Sequence, residues 1–460
     1  MNINDLISKK IGILGFGQEG QAILNFLGKS GLQATIYDEK PREDWSDEAR
    51  DLADTFSSVV VSGENYLDTI SECSILFRSP GIWRNHPKIL SAENQGAIIT
   101  SQTKWFFENT NATIVGVTGT KGKGTTSSLI YEILKHSGKT AYLTGNIGKI
   151  QPLEFLDETT ADDVVVFELS SFQLQDLTTS PHIGVCLMVT SDHLNHHSDL
   201  KEYHQAKSSI ASFQTPSDTM IYNADYPASA QIGQQGDGTK LIISSKIEPK
   251  HGAFISENSI TLIGLPDLEN QNKKIIDCTN RNLRGAHNLE NIAAASLVTY
   301  ILGIGVTDIE AISKSFSGLD HRLQYVGTFN GVGYYNDSIS TVPETTIAAL
   351  NSFSEPTHLI LGGSDKGLDY TVLINELASR KNILSITLLG EVGQNIQGML
   401  ANSSKTPLLG PYTDLAEAIL AIRECSHPGD VVILSPAAAS FDMFKNYIDR
   451  GEQFVKLVSK

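Results

Sequence analysis

Three α/β units in tandem, each a mostly parallel sheet with helices on its faces, are predicted from three observations. Short apolar runs rich in β-branched residues alternate with helix-length stretches along the chain. Two of those runs feed glycine-rich turns that open helices, one beginning at Gly15 and one at Gly119. The length of 460 residues suits about three domains. The expected boundaries are 1–110, 111–319 and 320–460.

In the first unit, Ile11–Leu14 reads as a strand and Gly15-Phe16-Gly17-Gln18-Glu19-Gly20 as the turn after it. A helical pattern follows to about Lys29, then a strand Ala34–Tyr37 that ends in Asp38. A G-x-G-x-x-G turn with an acid at the end of the second strand marks a dinucleotide-type βαβ unit. Ser58–Val61 and Ser74–Phe77 continue the sheet. The latter stops at Arg78-Ser79-Pro80-Gly81, a turn at the strand edge where open α/β sheets bind ligands.

The second unit starts with the buried-strand run Thr113–Val117. After it stands Thr118-Gly119-Thr120-Lys121-Gly122-Lys123-Gly124-Thr125-Thr126, then a helical stretch. Glycines let backbone N–H groups close around phosphate, the helix N-terminus adds positive potential and Lys123 adds a full charge. This order predicts a nucleoside triphosphate site, although the spacing is shorter than G-x-x-x-x-G-K-[ST] and Gly124 stands where a hydroxyl usually follows the lysine. Asp163–Phe167 is a strand ending in Glu168, and Ile183–Val189 another, followed by Thr190-Ser191-Asp192-His193. A carboxylate beside a phosphate loop can hold Mg2+, so Glu168 reads as a metal residue; His193 alone would read as structural. Lys207 reads as a helix-surface lysine. Ile232–Lys274 is expected to be a small antiparallel excursion and Gly285–Leu302 an alanine-rich helix.

The third unit shows strands at Gly333–Asn336, His358–Leu361, Ser385–Leu389 and Asp430–Leu434 with helices between. Asp337 ends one strand. Lys366 lies in a glycine turn after another, a candidate anion site.

Composition narrows the class. A net charge of −17 argues against a nucleic-acid or anionic-membrane binder. The four cysteines show no metal or C-x-x-C spacing, so buried reduced thiols are expected. No apolar run approaches membrane-span length and no signal-peptide core opens the chain, so the cytoplasm is the expected compartment.

The string Glu168-Leu169-Ser170-Ser171-Phe172-Gln173-Leu174 resembles a signature of the Mur ligases, the ATP-dependent amide ligases of peptidoglycan precursor synthesis. The resemblance keeps order over essentially the whole chain. It takes in Gly145-Asn146-Ile147-Gly148, Asp192-His193-Leu194-Asn195, Tyr203–Lys207, Asn223-Ala224-Asp225 and Gly285–Asn291. It continues through His321-Arg322, Asn336-Asp337-Ser338, Gly362-Gly363, Lys366 and Leu434–Asp442. Within the family it is most similar to members that add glutamate to UDP-N-acetylmuramoyl-L-alanine.

The resemblance implies a Rossmann-like first domain, a P-loop central domain and a Rossmann-like last domain. It implies that the loop amides and Lys123 bind the β- and γ-phosphates of ATP, and that Thr125, Glu168, His193 and a carbamylated Lys207 serve Mg2+. Asn288 and Asn291, with Arg322 and Asp337, would hold the nucleotide. Gln18, Glu19, Asp38, Ser79, Pro80 and Gly81 would hold the UDP part. Asn146, Ser170 and Gln173 would face the muramoyl-alanine, and Lys366, Ser440, Phe441 and Tyr447 the glutamate. The product would form through an acyl phosphate, in a monomer.

The chain departs from the usual pattern at several places. The Gly-Lys-Gly-Thr form of the loop resembles the related folylpolyglutamate synthases, which moves the metal hydroxyl to Thr125, with Thr126 the alternative. Ile339 stands where a lysine is usual, Tyr447 where phenylalanine is usual and Asn195 where aspartate is usual. These features leave both D-glutamate, the favoured isomer, and L-glutamate open. The fingerprint Gly15-x-Gly17-x-x-Gly20 with Asp38 would alone also suit a nicotinamide-dependent oxidoreductase, but that reading leaves the Gly119–Thr126 loop unexplained.

Overall fold

The computed structural model describes residues 1–148, 150–190, 199–265, 273–403 and 405–460. The chain packs as two compact units: Met1–Cys278 with Leu289–Ile312, and Thr279–Asn288 with Ser313–Lys460.

The first unit holds two sheets. The N-terminal sheet has β1 (Ile11–Leu14), β2 (Ala34–Asp38), β3 (Ser57–Ser62), β4 (Ile75–Arg78) and β5 (Ile98–Thr100) in the order β3-β2-β1-β4-β5, all parallel. Both faces of β1 and β4 are covered, which is why their sequences do not alternate and run apolar up to the closing Arg78 of β4. Strand order reverses between β1 and β4, so the chain leaves their C-terminal ends in opposite directions and opens a crevice there. Gly15 and Ser79 stand at its two lips, joined by a Ser79 Oγ–Gly15 carbonyl hydrogen bond of 3.1 Å.

The central sheet comprises β6 (Thr113–Thr118), β7 (Ala141–Gly145), β8 (Val164–Glu168), β9 (Ile183–Cys186), β10 (Thr219–Asn223), β11 (Thr239–Ser244), β12 (Gly252–Ser256), β13 (Ser259–Ile263) and β14 (Lys273–Asp277). Their order is β14-β13-β12-β11-β10-β9-β6-β8-β7. The expected antiparallel excursion is only half antiparallel: β11 and β12 extend the parallel sheet, and β13 and β14 turn back upon it. Aromatic rings tie this sheet to the first. Phe77 lies 5.6 Å from Trp105, and Phe106 lies 5.3 Å from Phe167, all buried. Large rings of this kind carry much of a core's apolar area, which accounts for two sheets forming one unit.

The second unit holds β15 (Gln324–Phe329), β16 (Val332–Asn336), β17 (Thr357–Gly362), β18 (Ile383–Leu389), β19 (Leu408–Tyr412) and β20 (Val431–Leu434), in the order β15-β16-β20-β17-β18-β19. It is parallel except for the β15–β16 hairpin. The sequence pattern shows neither β15 nor β19, because Gly327 and the Gly410-Pro411 pair break their apolar alternation.

Cys73, Cys186 and Cys278 are buried and outside any disulfide, as expected; Cys425 is only partly buried. Among the described residues no helix is long and apolar enough to cross a membrane.

Candidate active site

The loop after β6 is shaped by Gly122, the N-cap of the helix Lys123–His136, whose φ of 88° lies in the left-handed region. A Cβ there would come 2.3 Å from Asn291 Oδ1, so only glycine fits. Asn291 is buried beneath the loop and accepts a hydrogen bond from Thr126 Oγ1 at 3.2 Å. Thr126 is therefore engaged in the core, while Thr125 next to it is only partly buried. Lys123 Nζ folds over the loop onto the carbonyls of Gly119 (3.0 Å) and Thr120 (3.2 Å). Lys121 is exposed and Gly124 buried. The N–H groups at this helix start and the Lys123 charge could hold an anion.

Register places the neighbouring groups. Glu168 is the β8 partner of both Val117 on β6 and Gly145 on β7. Its carboxylate is buried and accepts from Asn146 Nδ2 at 3.1 Å, while the Asn146 N–H donates to the Glu168 carbonyl. Gly145 has φ +87°, and a Cβ there would lie 2.3 Å from that carbonyl. Past Glu168, Ser170 and Gln173 form a reciprocal capping box, with Gln173 Oε1 accepting from the Ser170 N–H and hydroxyl. Gln173 Nε2 then donates to Glu19 Oε1 at 3.2 Å. The other oxygen of Glu19 is buried without a hydrogen-bond partner, and burial pushes its carboxyl up to about 7.

Lys207 corrects the sequence reading. On the helix Leu200–Ser208 it is 2% exposed, not a surface lysine. Its Nζ donates to Thr118 Oγ1 (3.2 Å) and the Gly119 carbonyl (3.1 Å), over the Tyr203 ring. Tyr203 in turn bonds its hydroxyl to Thr120 Oγ1 at 3.0 Å, which seats this helix on the phosphate loop. His193 and Asn195 lie outside the described residues.

In the N-terminal sheet Asp38 is taken up by backbone. Its two oxygens accept from the N–H groups of Phe16 and Lys40, fixing the glycine turn against the end of β2. Gln18, Glu19 and Asp38, with Ser79, Pro80 and Gly81, line one cavity of about 870 Å3. Gly119, Lys123, Asn146, Ser170, Gln173 and Lys207 line the same cavity. Two glycine turns on two sheets thus open into one space.

The second unit gathers its own loops at the C-terminal ends of β16, β17 and β20. Asp337 is buried, accepting from Ser340 and Ser435 hydroxyls and the Leu323 N–H, and burial raises its carboxyl to about 6. Arg322 is exposed nearby in sequence. The Ser364 N–H donates to the Ala439 carbonyl, so the turn bearing exposed Lys366 runs beside the turn bearing buried Ser440 and exposed Phe441. Ser338 Oγ donates to the Tyr447 carbonyl at 2.7 Å. Asn288 is buried with its amide on the Arg284 carbonyl.

Comparison with known proteins agrees with this geometry. The Mur ligase middle domain matches residues 117–299, and the Mur ligase MurD-like N-terminal domain matches residues 9–101. A UDP-N-acetylmuramoylalanine–D-glutamate ligase of Clostridium kluyveri is 35% identical over 98% of this chain and 96% of its own. The chain belongs to the Mur ligase family. It is an ATP-dependent ligase with the three-domain Mur architecture. A ligase of the same name from Symbiobacterium thermophilum is 33% identical, covering 98% of each chain. The fold is shared with the MurF ligase of Thermotoga maritima in complex with ADP, at a TM-score of 0.53 and 16% identity over 99% of this chain and 96% of that one. It is shared too with the UDP-N-acetylmuramate-alanine ligase of the same organism (TM-score 0.53, 15% identity, 98% and 99% covered).

Two groups of this Mur ligase escaped sequence reasoning. Arg78 read only as part of a turn, yet it is the hub of a buried network. The signal was a charged residue closing Ile75-Leu76-Phe77-Arg78, a central strand with both faces covered. Arg450 is fully buried too, donating to the Ser338, Ala438 and Ala439 carbonyls and to Ser338 Oγ. It holds two of the second unit's loops together, and its arginine gave no local sign of that.

Proposed function

We propose that this chain joins the amino group of D-glutamate to the alanine carboxylate of UDP-N-acetylmuramoyl-L-alanine at the expense of ATP, in peptidoglycan precursor synthesis. The observation that carries the reading is the shared cavity. The triphosphate loop at Gly119–Lys123 and the nucleotide-binding turns at Gly15–Glu19 and Ser79–Gly81 face one space, as a phosphoryl transfer to one end of a nucleotide-linked acid requires. The D isomer is supported by the names of the relatives that match nearly the full chain.

A carboxylate is a poor electrophile. Its oxygen therefore attacks the γ-phosphorus of ATP, the bond to the bridging oxygen breaks, and ADP leaves. Lys123 and the loop N–H groups offset the repulsion between the two anions. The glutamate amine then attacks the acyl carbon, a tetrahedral intermediate forms, and phosphate leaves with its electron pair as the amine loses a proton. Asn146, Ser170 and Gln173 orient the acid. Lys366, Ser440, Phe441 and Tyr447 would receive the glutamate, and Asn288, Asn291, Arg322 and Asp337 the nucleotide. Closure over the acyl phosphate would keep water from hydrolysing it.

Mg2+ suits the donors present. Among the described residues no three His, Cys, Asp or Glu side chains cluster for a metal, and Mg2+ takes few protein ligands beside phosphate oxygens and water. Thr125 and Glu168 would hold it, with His193. Carbamylation of Lys207, by which the neutral amine adds carbon dioxide and releases a proton, would turn a buried cation into a further carboxylate-like ligand. When bound, the ion neutralises charge on the phosphates.

The test is an end-product assay with D- and L-glutamate supplied separately. Phosphate release should require ATP, the UDP-linked acid and D-glutamate together. Turnover with L-glutamate alone would overturn the stereochemical assignment, and phosphate release independent of both acceptors would overturn the ligase.

A further inference from the structure

Behind the cavity lies a buried ion pair that none of the roles above uses. Arg78, at the end of β4, and Asp176, after the helix Ser171–Leu174, have side chains 1% and 2% exposed, and Arg78 Nε (3.0 Å) and Nη2 (2.5 Å) both donate to Asp176 Oδ2, with Oδ1 at 3.4 Å from Nε. The guanidinium does more than pair. Its Nη1 donates to the Ile82 carbonyl, with the Ser79 and Pro80 carbonyls at 3.4 and 3.5 Å, and its Nη2 donates to the Phe172 carbonyl at 2.9 Å. One planar group therefore touches the Ser79–Ile82 turn of the first sheet and the Ser170–Gln173 turn of the second. Both turns line the cavity. Asp176 also takes Arg84 at 3.3 Å, beyond the same turn. A second bridge repeats the pattern: Glu202 accepts from Asn85 at 2.8 Å and from Gln175 at 2.9 Å. It belongs to the helix that carries Lys207.

Arginine suits this task where lysine would not. Five N–H donors in a fixed plane can satisfy a carboxylate on one edge and carbonyls on the other, whereas an ammonium offers three donors around a point. Among the described residues no hydrogen bond joins Arg78 to the phosphate loop, whose supports include Asn291, Tyr203 and Lys207.

We infer that Arg78, paired with Asp176, is a positioning residue that holds the two walls of the acid-substrate site in register and so sets affinity for the nucleotide-linked acid but not for ATP. The inference rests on the ligase reading above. Steady-state kinetics and calorimetric binding of UDP-N-acetylmuramoyl-L-alanine, with full-length wild type, Arg78→Met and Arg78→Lys, test it. In Arg78→Met the KM and Kd for the acid should rise at least tenfold while the KM for ATP stays within twofold. Arg78→Lys should fall between, with a rise of about threefold or more. If Arg78→Met does not fold, Arg78→Lys decides. A folded Arg78→Lys with wild-type melting temperature and unchanged acid affinity would overturn the inference, as would equal losses for acid and ATP, the mark of a merely structural residue. Failure of the wild type to bind the acid would defeat the ligase reading and this inference with it. Binding by wild type with no change in either variant would defeat this inference alone.

Discussion

Replacing Gly122 by alanine should disable the phosphate loop and leave the acid site intact. Two costs can be worked from the geometry. Alanine at a φ of 88° pays about 1–2 kcal/mol of backbone strain. Its Cβ, 2.3 Å from Asn291 Oδ1, forces that side chain away by about 1 Å to reach van der Waals distance. Asn291 is buried and its Oδ1 is the acceptor of the buried Thr126 hydroxyl, so the shift threatens a hydrogen bond whose loss costs about 1–3 kcal/mol. Together these amount to about 2–5 kcal/mol, which the loop relieves by leaving its phosphate-binding shape. At about 1.4 kcal/mol per tenfold, affinity for ATP should drop by ~30-fold or more. The assay is calorimetric titration with a non-hydrolysable ATP analogue, with UDP-N-acetylmuramoyl-L-alanine as the internal control. The double variant Gly122→Ala with Asn291→Ala should lose less than the sum of the singles, because the clash has no partner left. ATP affinity within threefold of wild type, at an unchanged melting temperature, would refute the loop geometry. Equal loss for the acid would refute its locality.

Lys123→Ala should lower turnover by ~10³-fold while acid binding stays near wild type, and near-normal turnover would exclude a phosphate role. Lys207→Ala should abolish turnover, with partial recovery as small carboxylic acids are titrated in; a flat response across that titration argues against a carbamate. Glu19 sets a pH dependence of stability. Its folded-state carboxyl is raised to about 7 by burial, so the stabilisation is complete below the ordinary carboxylate range near 4.5 and is lost as pH rises through about 7. In Glu19→Gln the fall in melting temperature between pH 5 and 8.5 should be shallower, and at pH 8.5 the variant should gain roughly 1–3 kcal/mol; parallel curves for the two proteins would contradict this.

What the sequence determined by itself is local. The glycines at 15, 17, 119 and 122 mark turns because backbone shape is written in residue type, and β1, β4, β6, β8 and β20 are visible because strands buried on both faces are unbroken apolar runs. Family membership was legible for the same reason, as ordered motifs at turns after strands. Partnership across the chain, in contrast, is set by tertiary packing. Lys207 looks like a surface lysine on its helix, and it is buried because β6 ends beneath it at Thr118. Thr125 and Thr126 are chemically alike in sequence, and Asn291, 165 residues from Thr126, is what engages the second and not the first. Arg78 and Asp176 stand 98 residues apart, and neither predicts the other. Local propensity acts over a few residues, whereas the pairing of buried polar groups depends on which strands the fold sets side by side.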